Sequence, residues 1–195
     1  FHSYMADDLF DVDNLNSVLR QIIKKKRVID IKNYNVLTYS IPEDYMVKSV
    51  CFDSEGYDEE IRDAIRPIVH AAEEKGCSET LFTALYEAVL NAYQHGNKRE
   101  INKKVTIAHK VNNDSVEVAV VDEGGVIDSD FIPFVIRHRE GRHEKHFLDY
   151  YDFSGKERPP RNNGTGTSFM HTYVDDISYF KSKQGGLVVH LTKKF

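Results

Sequence analysis

Cysteine is scarce in this chain of 195 residues: only Cys51 and Cys77 occur, and they do not form a C-x-x-C pair. That excludes a disulfide-rich scaffold. The two read as buried, reduced thiols of a cytoplasmic protein, with one bridge between them as the alternative. No apolar run approaches the roughly 20 residues that cross a bilayer. No secretory h-region stands near the start. A membrane partner is therefore not expected. Positive charge is not in excess either, since the formal net charge is -5, which argues against broad nucleic-acid binding. Repeats and low-complexity tracts are absent. His138, His143 and His146 cluster without cysteine or carboxylate at tight ligand spacing, so no zinc site is expected there. What is present is 41% hydrophobic residues, enough for a sizeable core in one domain with an appendage.

Residues 1–33 read as a helical extension, with Leu15, Val18, Leu19, Ile22 and Ile23 at helical spacing. Lys24-Lys25-Lys26-Arg27 reads as its solvated end, favourable to the helix dipole. A strand is expected over 34–41, stopped by Pro42, and a second over 47–52. A helix over 58–74 carries Ile61, Ala64, Ile65, Ile68, Val69 and Ala72 on one stripe, ends at Gly76, and is followed by one that Ser78 can cap. Alternation of Val105, Ile107 and Val111 with Val116, Val118 and Val120 around Asn112-Asn113-Asp114 predicts a hairpin. Residues 126–163 form a long polar stretch without clear periodicity, the mark of a lid or a disordered segment. A short helix over 167–174 and two strands, 177–180 and 187–191, complete the chain. The order predicts an α+β two-layer sandwich, helices on one mixed and mainly antiparallel sheet.

Three places carry chemistry. Glu87 and Asn91 lie four apart and share a helix face, at the rim of a stripe formed by Leu81, Leu85, Ala88 and Ala92. A carboxylate there suits a proton acceptor, and an amide oxygen suits a hydrated Mg²⁺. Asp122, at a strand end before Glu123-Gly124-Gly125, can accept from an exocyclic amine, and glycine admits a flat base. Gly164-Thr165-Gly166-Thr167 opens a helix whose free amides attract phosphate. Each alone has an ordinary structural explanation: polar residues on a half-exposed helix, an Asp-x-Gly turn, a tight turn. His95 reads as a packed histidine at a helix end, with a nucleotide or partner contact as the alternative.

Together and in this order, the three resemble the GHKL ATPase superfamily. Glu-Ala-Val-Leu-Asn-Ala-Tyr-Gln-His-Gly at 87–96 is similar to its N box, Asp122-Glu123-Gly124 to its G1 box and Gly164-Thr165-Gly166 to its G2 box. The nearest branch is the anti-sigma-factor serine kinases, and the likeness spans roughly 34–195 with the Bergerat-type ATP-binding fold. It implies Glu87 as catalytic base, Asn91 as Mg²⁺ ligand, Asp122 as reader of adenine and Gly124 beside the base. Gly164, Thr165, Gly166 and Thr167 would lie at the phosphates of ATP. Residues 126–163 would be the lid, with Arg137, Arg139, Arg142, Lys145, Lys156, Arg158 and Arg161 as cations for phosphate. Partners would be a protein substrate or a sigma/anti-sigma-type regulator, and a homodimer fits the likeness. Val126 stands where the family pattern has a second glycine, and Thr167 where an aliphatic residue is common. Three activities follow: a serine/threonine kinase of partner-switching type, a non-catalytic nucleotide-gated binding module, or the catalytic domain of a histidine kinase.

Overall fold

The computed structural model describes residues 28–33, 38–140, 147–160 and 162–195. The amphipathic segment and basic run expected before residue 28 lie outside the described residues, as do Arg142, His143, Lys145, His146 and Arg161. In order, the elements are β1 (Val28–Asp30), β2 (Thr38–Tyr39), β3 (Met46–Val50), α1 (Tyr57–Glu73), α2 (Thr80–Asn91), β4 (Val105–Val111), β5 (Ser115–Val121), β6 (Val126–Asp128), α3 (Phe131–Arg139), α4 (Tyr150–Ser154), α5 (Gly166–Tyr173), β7 (Asp176–Ser182) and β8 (Leu187–Lys194).

The periodic segments form as their patterns require. All six apolar residues of the α1 stripe are buried. Asp58, Glu59 and Glu60 occupy the positive end of its dipole. Gly76 at φ +99° closes the helix in a left-handed turn, with Cys77 N–H donating to Ala72 O at 3.1 Å and Gly76 N–H to Glu73 O at 2.9 Å. Ser78 Oγ accepts from Thr80 N–H at 3.3 Å at the start of α2. The hairpin β4–β5 pairs Val111 with Val116 and Thr106 with Val121.

Strands β2-β7-β8-β5-β4-β3 make one six-stranded sheet, antiparallel except for the β2–β7 pair. Strand alternation sends Val116, Val118 and Val120 into the main core with α1, α2 and α5. Ala108, Ala119, Val121, Phe180 and Val188 face the other side, where Tyr39, Ile41 and Tyr45 pack against them. One helical layer on one mixed sheet is the α+β sandwich expected.

The structure departs from the sequence reading in four places. Residues 28–33 form a strand and a 3₁₀ turn, not helix; β1 pairs with β6 in a separate two-stranded ribbon. Ile29 and Ile31 are fully buried there. Of the strand expected over 34–41, Thr38–Tyr39 is β2, and 34–37 lies outside the described residues. The stretch 126–163 contains β6, α3 and α4. Its helical signal is hidden because Phe131-Ile132-Pro133-Phe134-Val135-Ile136 is apolar on nearly every side, so no single stripe stands out. Cys77 is buried, but Cys51 is exposed just beyond the edge strand β3; both thiols are free. No described helix is long and apolar enough to cross a membrane.

Candidate functional site

Helix α2 presents Glu87 and Asn91 one turn apart, as an i, i+4 pair must. Both are part-buried. Among the described residues neither side chain has a hydrogen bond or ion pair. Burial alone pushes the Glu87 carboxyl up from its ordinary value. Its Oε2 lies against the first residue of α5: a Cβ on Gly166 would collide with it. Glycine at that point is what lets a carboxylate on one helix reach the N-terminus of the next. No side chain caps that N-terminus. Thr167 is buried in the first turn.

Beyond Asn91 the helix widens into a single π turn, Ala92–Gly96, closed by Asn97 N–H donating to Ala92 O at 2.7 Å. That extra residue per turn carries Gly96 against the end of β5. Asp122 is only 4% exposed. Its Oδ1 accepts from Gly124 N–H at 2.8 Å and Leu187 N–H at 3.0 Å, and its Oδ2 faces the Cα of Gly96. A Cβ on Gly96 would strike that carboxylate, and one on Gly124 would strike the carbonyl of Gly96, so both must be glycine for the two segments to meet. Burial pushes the Asp122 carboxyl up to about 6, against the pull of the backbone amides that hold it.

The third segment is braced from outside. Gly164 adopts φ +70°. Its N–H donates to Asn162 Oδ1 at 2.9 Å, and its carbonyl accepts from Tyr150 N–H at 2.8 Å. Asp149 caps α4 by accepting from Tyr151 and Asp152 N–H, packs against Gly164, and pairs with Arg158 at 2.7 Å.

The structure thus brings Glu87 to Gly166 and Asp122 to Gly96 and Gly124, so all three sequence motifs gather around one helix, α2. Four of the basic residues expected for the lid, those among the described residues, are engaged elsewhere. Lys156 pairs with Asp128 and with Asp130, and Arg158 with Asp149 and Asp152. Arg139 donates to Ile177 O at 3.2 Å, and Arg137 lies over the Phe153 ring. His95 is exposed rather than packed. No group of three or more His, Cys, Asp or Glu residues among the described ones could hold a metal ion by itself.

Several contributors escaped the sequence reading. Asn97 follows Gly96 with no pattern of its own to single it out, yet it is fully buried and bonded to the Asp122 loop. Asp149 carries an N-cap signal before Tyr-Tyr-Asp-Phe, but in a stretch that shows no periodicity. Ile31 donates its N–H to Gly125 O at 2.9 Å, and the Lys32 stem lies on Gly125 and Gly185. The segment before the sheet therefore packs onto the glycine loop that follows Asp122, a contact between residues too distant in sequence to be read locally.

Over 113 residues, 58% of this chain and 68% of the relative, the chain is 28% identical to an anti-sigma F factor from Clostridium beijerinckii. Residues 56–193 match the model of the histidine kinase-like ATPase domain. That span holds α1, α2 and all three motifs and is well over half of the chain, which therefore belongs to the histidine kinase-like ATPase domain family, a family of nucleotide-binding domains.

Proposed function

We propose that this protein is an ATP-binding serine/threonine kinase of partner-switching type, phosphorylating a regulatory protein of a sigma/anti-sigma system. The observation that carries the reading is the Glu87 carboxylate, part-buried, without a hydrogen-bond or ion-pair partner among the described residues, and laid against the uncapped start of α5 at Gly166. A base needs an elevated proton affinity and a free lone pair, and burial supplies the first. The similarity to an anti-sigma F factor supports the choice of partner.

In this reading adenine lies at Asp122 and Gly124, and the phosphates lie at Gly164, Thr165, Gly166 and Thr167. The Asn91 carboxamide oxygen would hold Mg²⁺, an ion for which one side-chain ligand can suffice. When bound, the ion neutralises charge between the phosphates. Glu87 takes the proton of a partner Ser or Thr hydroxyl as its oxygen bonds to the γ-phosphorus. The bond to the β-phosphate oxygen breaks, and ADP leaves. The remaining work is positioning, which the two glycine segments provide.

Glu87→Gln should lower phosphate transfer to a protein partner by about 10²- to 10⁴-fold while ATP affinity by calorimetry stays close to native. Transfer at the native rate would remove Glu87 from its role. A native chain that binds no ATP would overturn the whole reading. One observation favours a non-catalytic, nucleotide-gated binding module: Lys156 and Arg158 are already committed to carboxylates. Binding of ATP and partner with no labelled phosphoprotein would select it.

A further inference from the structure

We propose that Asn97 is the positioning residue of the base site, and that it sets discrimination for the amine at C6 of a purine. The proposal rests on the nucleotide reading above and deepens it. Asn97 is 0% exposed. Its Oδ1 accepts from Glu123 N–H at 2.8 Å, and its Nδ2 donates to Lys104 O at 3.0 Å. Lys104 N–H in turn donates to Glu123 Oε2 at 2.8 Å. Three residues from three segments close a ring of hydrogen bonds, and the amide side chain supplies the acceptor and the donor on two separate atoms.

The ring is placed where it matters for Asp122. The N–H of Glu123 belongs to the peptide that directly follows Asp122, so Asn97 fixes the plane of that peptide. The Asp122 carboxylate is then set from both sides, by Gly124 and Leu187 N–H on Oδ1 and by the Gly96 Cα at Oδ2. The chain accepts local strain to put Asn97 there. Lys98 and Arg99 follow it at φ 56° and φ 60°, two consecutive non-glycine residues in the left-handed region, each an unfavourable conformation for an L-residue. Arg99 N–H donates to Tyr93 O at 2.9 Å and Glu100 N–H to Asn97 O at 3.1 Å, which holds that turn in place.

A mere staple would affect stability and the affinity for every nucleotide equally. A positioning residue affects the choice of base. The test uses the full chain as native protein, Asn97→Ala and Asn97→Asp, with ATP and the corresponding triphosphate of unsubstituted purine, which lacks the C6 amine. Native protein should prefer ATP by at least about tenfold, the scale of one hydrogen bond to a charged group. Asn97→Ala should bring the two affinities within about threefold. Asn97→Asp retains the acceptor for Glu123 N–H and should fall between native and Ala, which also serves if the alanine variant does not fold. Retention of the native preference in a folded Asn97→Ala, or in Asn97→Asp if alanine does not fold, overturns the proposal whatever happens to absolute affinity. A native chain that binds neither triphosphate overturns the nucleotide reading itself, which is a distinct result.

Discussion

The last turns of helix α2 and the π turn that follows them are built on opposite plans. Around the π turn, the buried Asn97 bonds Glu123 and Lys104, which bond each other, Asp122 accepts from Gly124 and Leu187 N–H, and Gly96 and Gly124 touch backbone to backbone. One turn back, Glu87 and Asn91 have no bonded partner among the described residues, and α5 begins uncapped. The first region is finished by the protein. The second has polar groups left to be satisfied by something else. Rigid, self-satisfied groups suit recognition of a flat, uncharged ring, while open donors and acceptors suit a charged ligand that brings its own ions.

Substitutions can break that contrast, beginning with the largest effect. Asp122 has a folded pKa of about 6 against an ordinary 3.8. The folded chain therefore holds a proton that the unfolded chain gives up, and stability is lost as pH rises from about 4 through about 6. Asp122→Asn keeps the acceptor for Gly124 and Leu187 but cannot ionise. Its unfolding free energy relative to native should move in the variant's favour by up to about 3 kcal/mol between pH 4 and pH 7, read from denaturant curves across that range. A difference independent of pH would show that the carboxylate pays no burial cost.

Gly124→Ala comes next. Its new methyl meets the Gly96 carbonyl, a backbone atom that cannot swing aside, and a loss of about 1–3 kcal/mol is expected on unfolding. Gly166→Ala clashes first with the Glu87 carboxylate, the flexible end of a side chain. Its cost on unfolding should be under about 1 kcal/mol, while phosphate transfer falls because the base is displaced. Equal losses of stability at the two glycines would erase the contrast between a closed and an open end. The smallest effect on folding is expected from Asn91→Ala, within about 0.5 kcal/mol. The same variant should lose the magnesium dependence of ATP affinity in calorimetry; unchanged dependence would remove Asn91 as the ion's ligand.

Legibility followed the range of the forces involved. Glu87 and Asn91 could be placed on one face because i, i+4 geometry is local. The α1 stripe and the β4–β5 hairpin were legible for the same reason, their periods being uninterrupted over many residues. Strand β1 was not: three residues have no period of their own and become a strand only by pairing with Val126–Asp128. The part of 126–163 that forms α3 is nearly apolar throughout and contains Pro133, so its inner face is chosen by what it packs against. Asn97 carries no local signal because its partners, Glu123 and Lys104, are recruited by the fold.

The amino-acid order alone determined helices α1, α2 and α5 and the β4–β5 hairpin, and the spacing of the three motifs along the chain. Each depends on residues a few positions apart, where backbone geometry leaves little choice. Tertiary structure decided the rest. Gly166 opens space for Glu87, Gly96 and Gly124 meet at Asp122, and Ile31 closes on Gly125. These are contacts between surfaces far apart in the chain, set by close packing and by the need to satisfy every buried polar group.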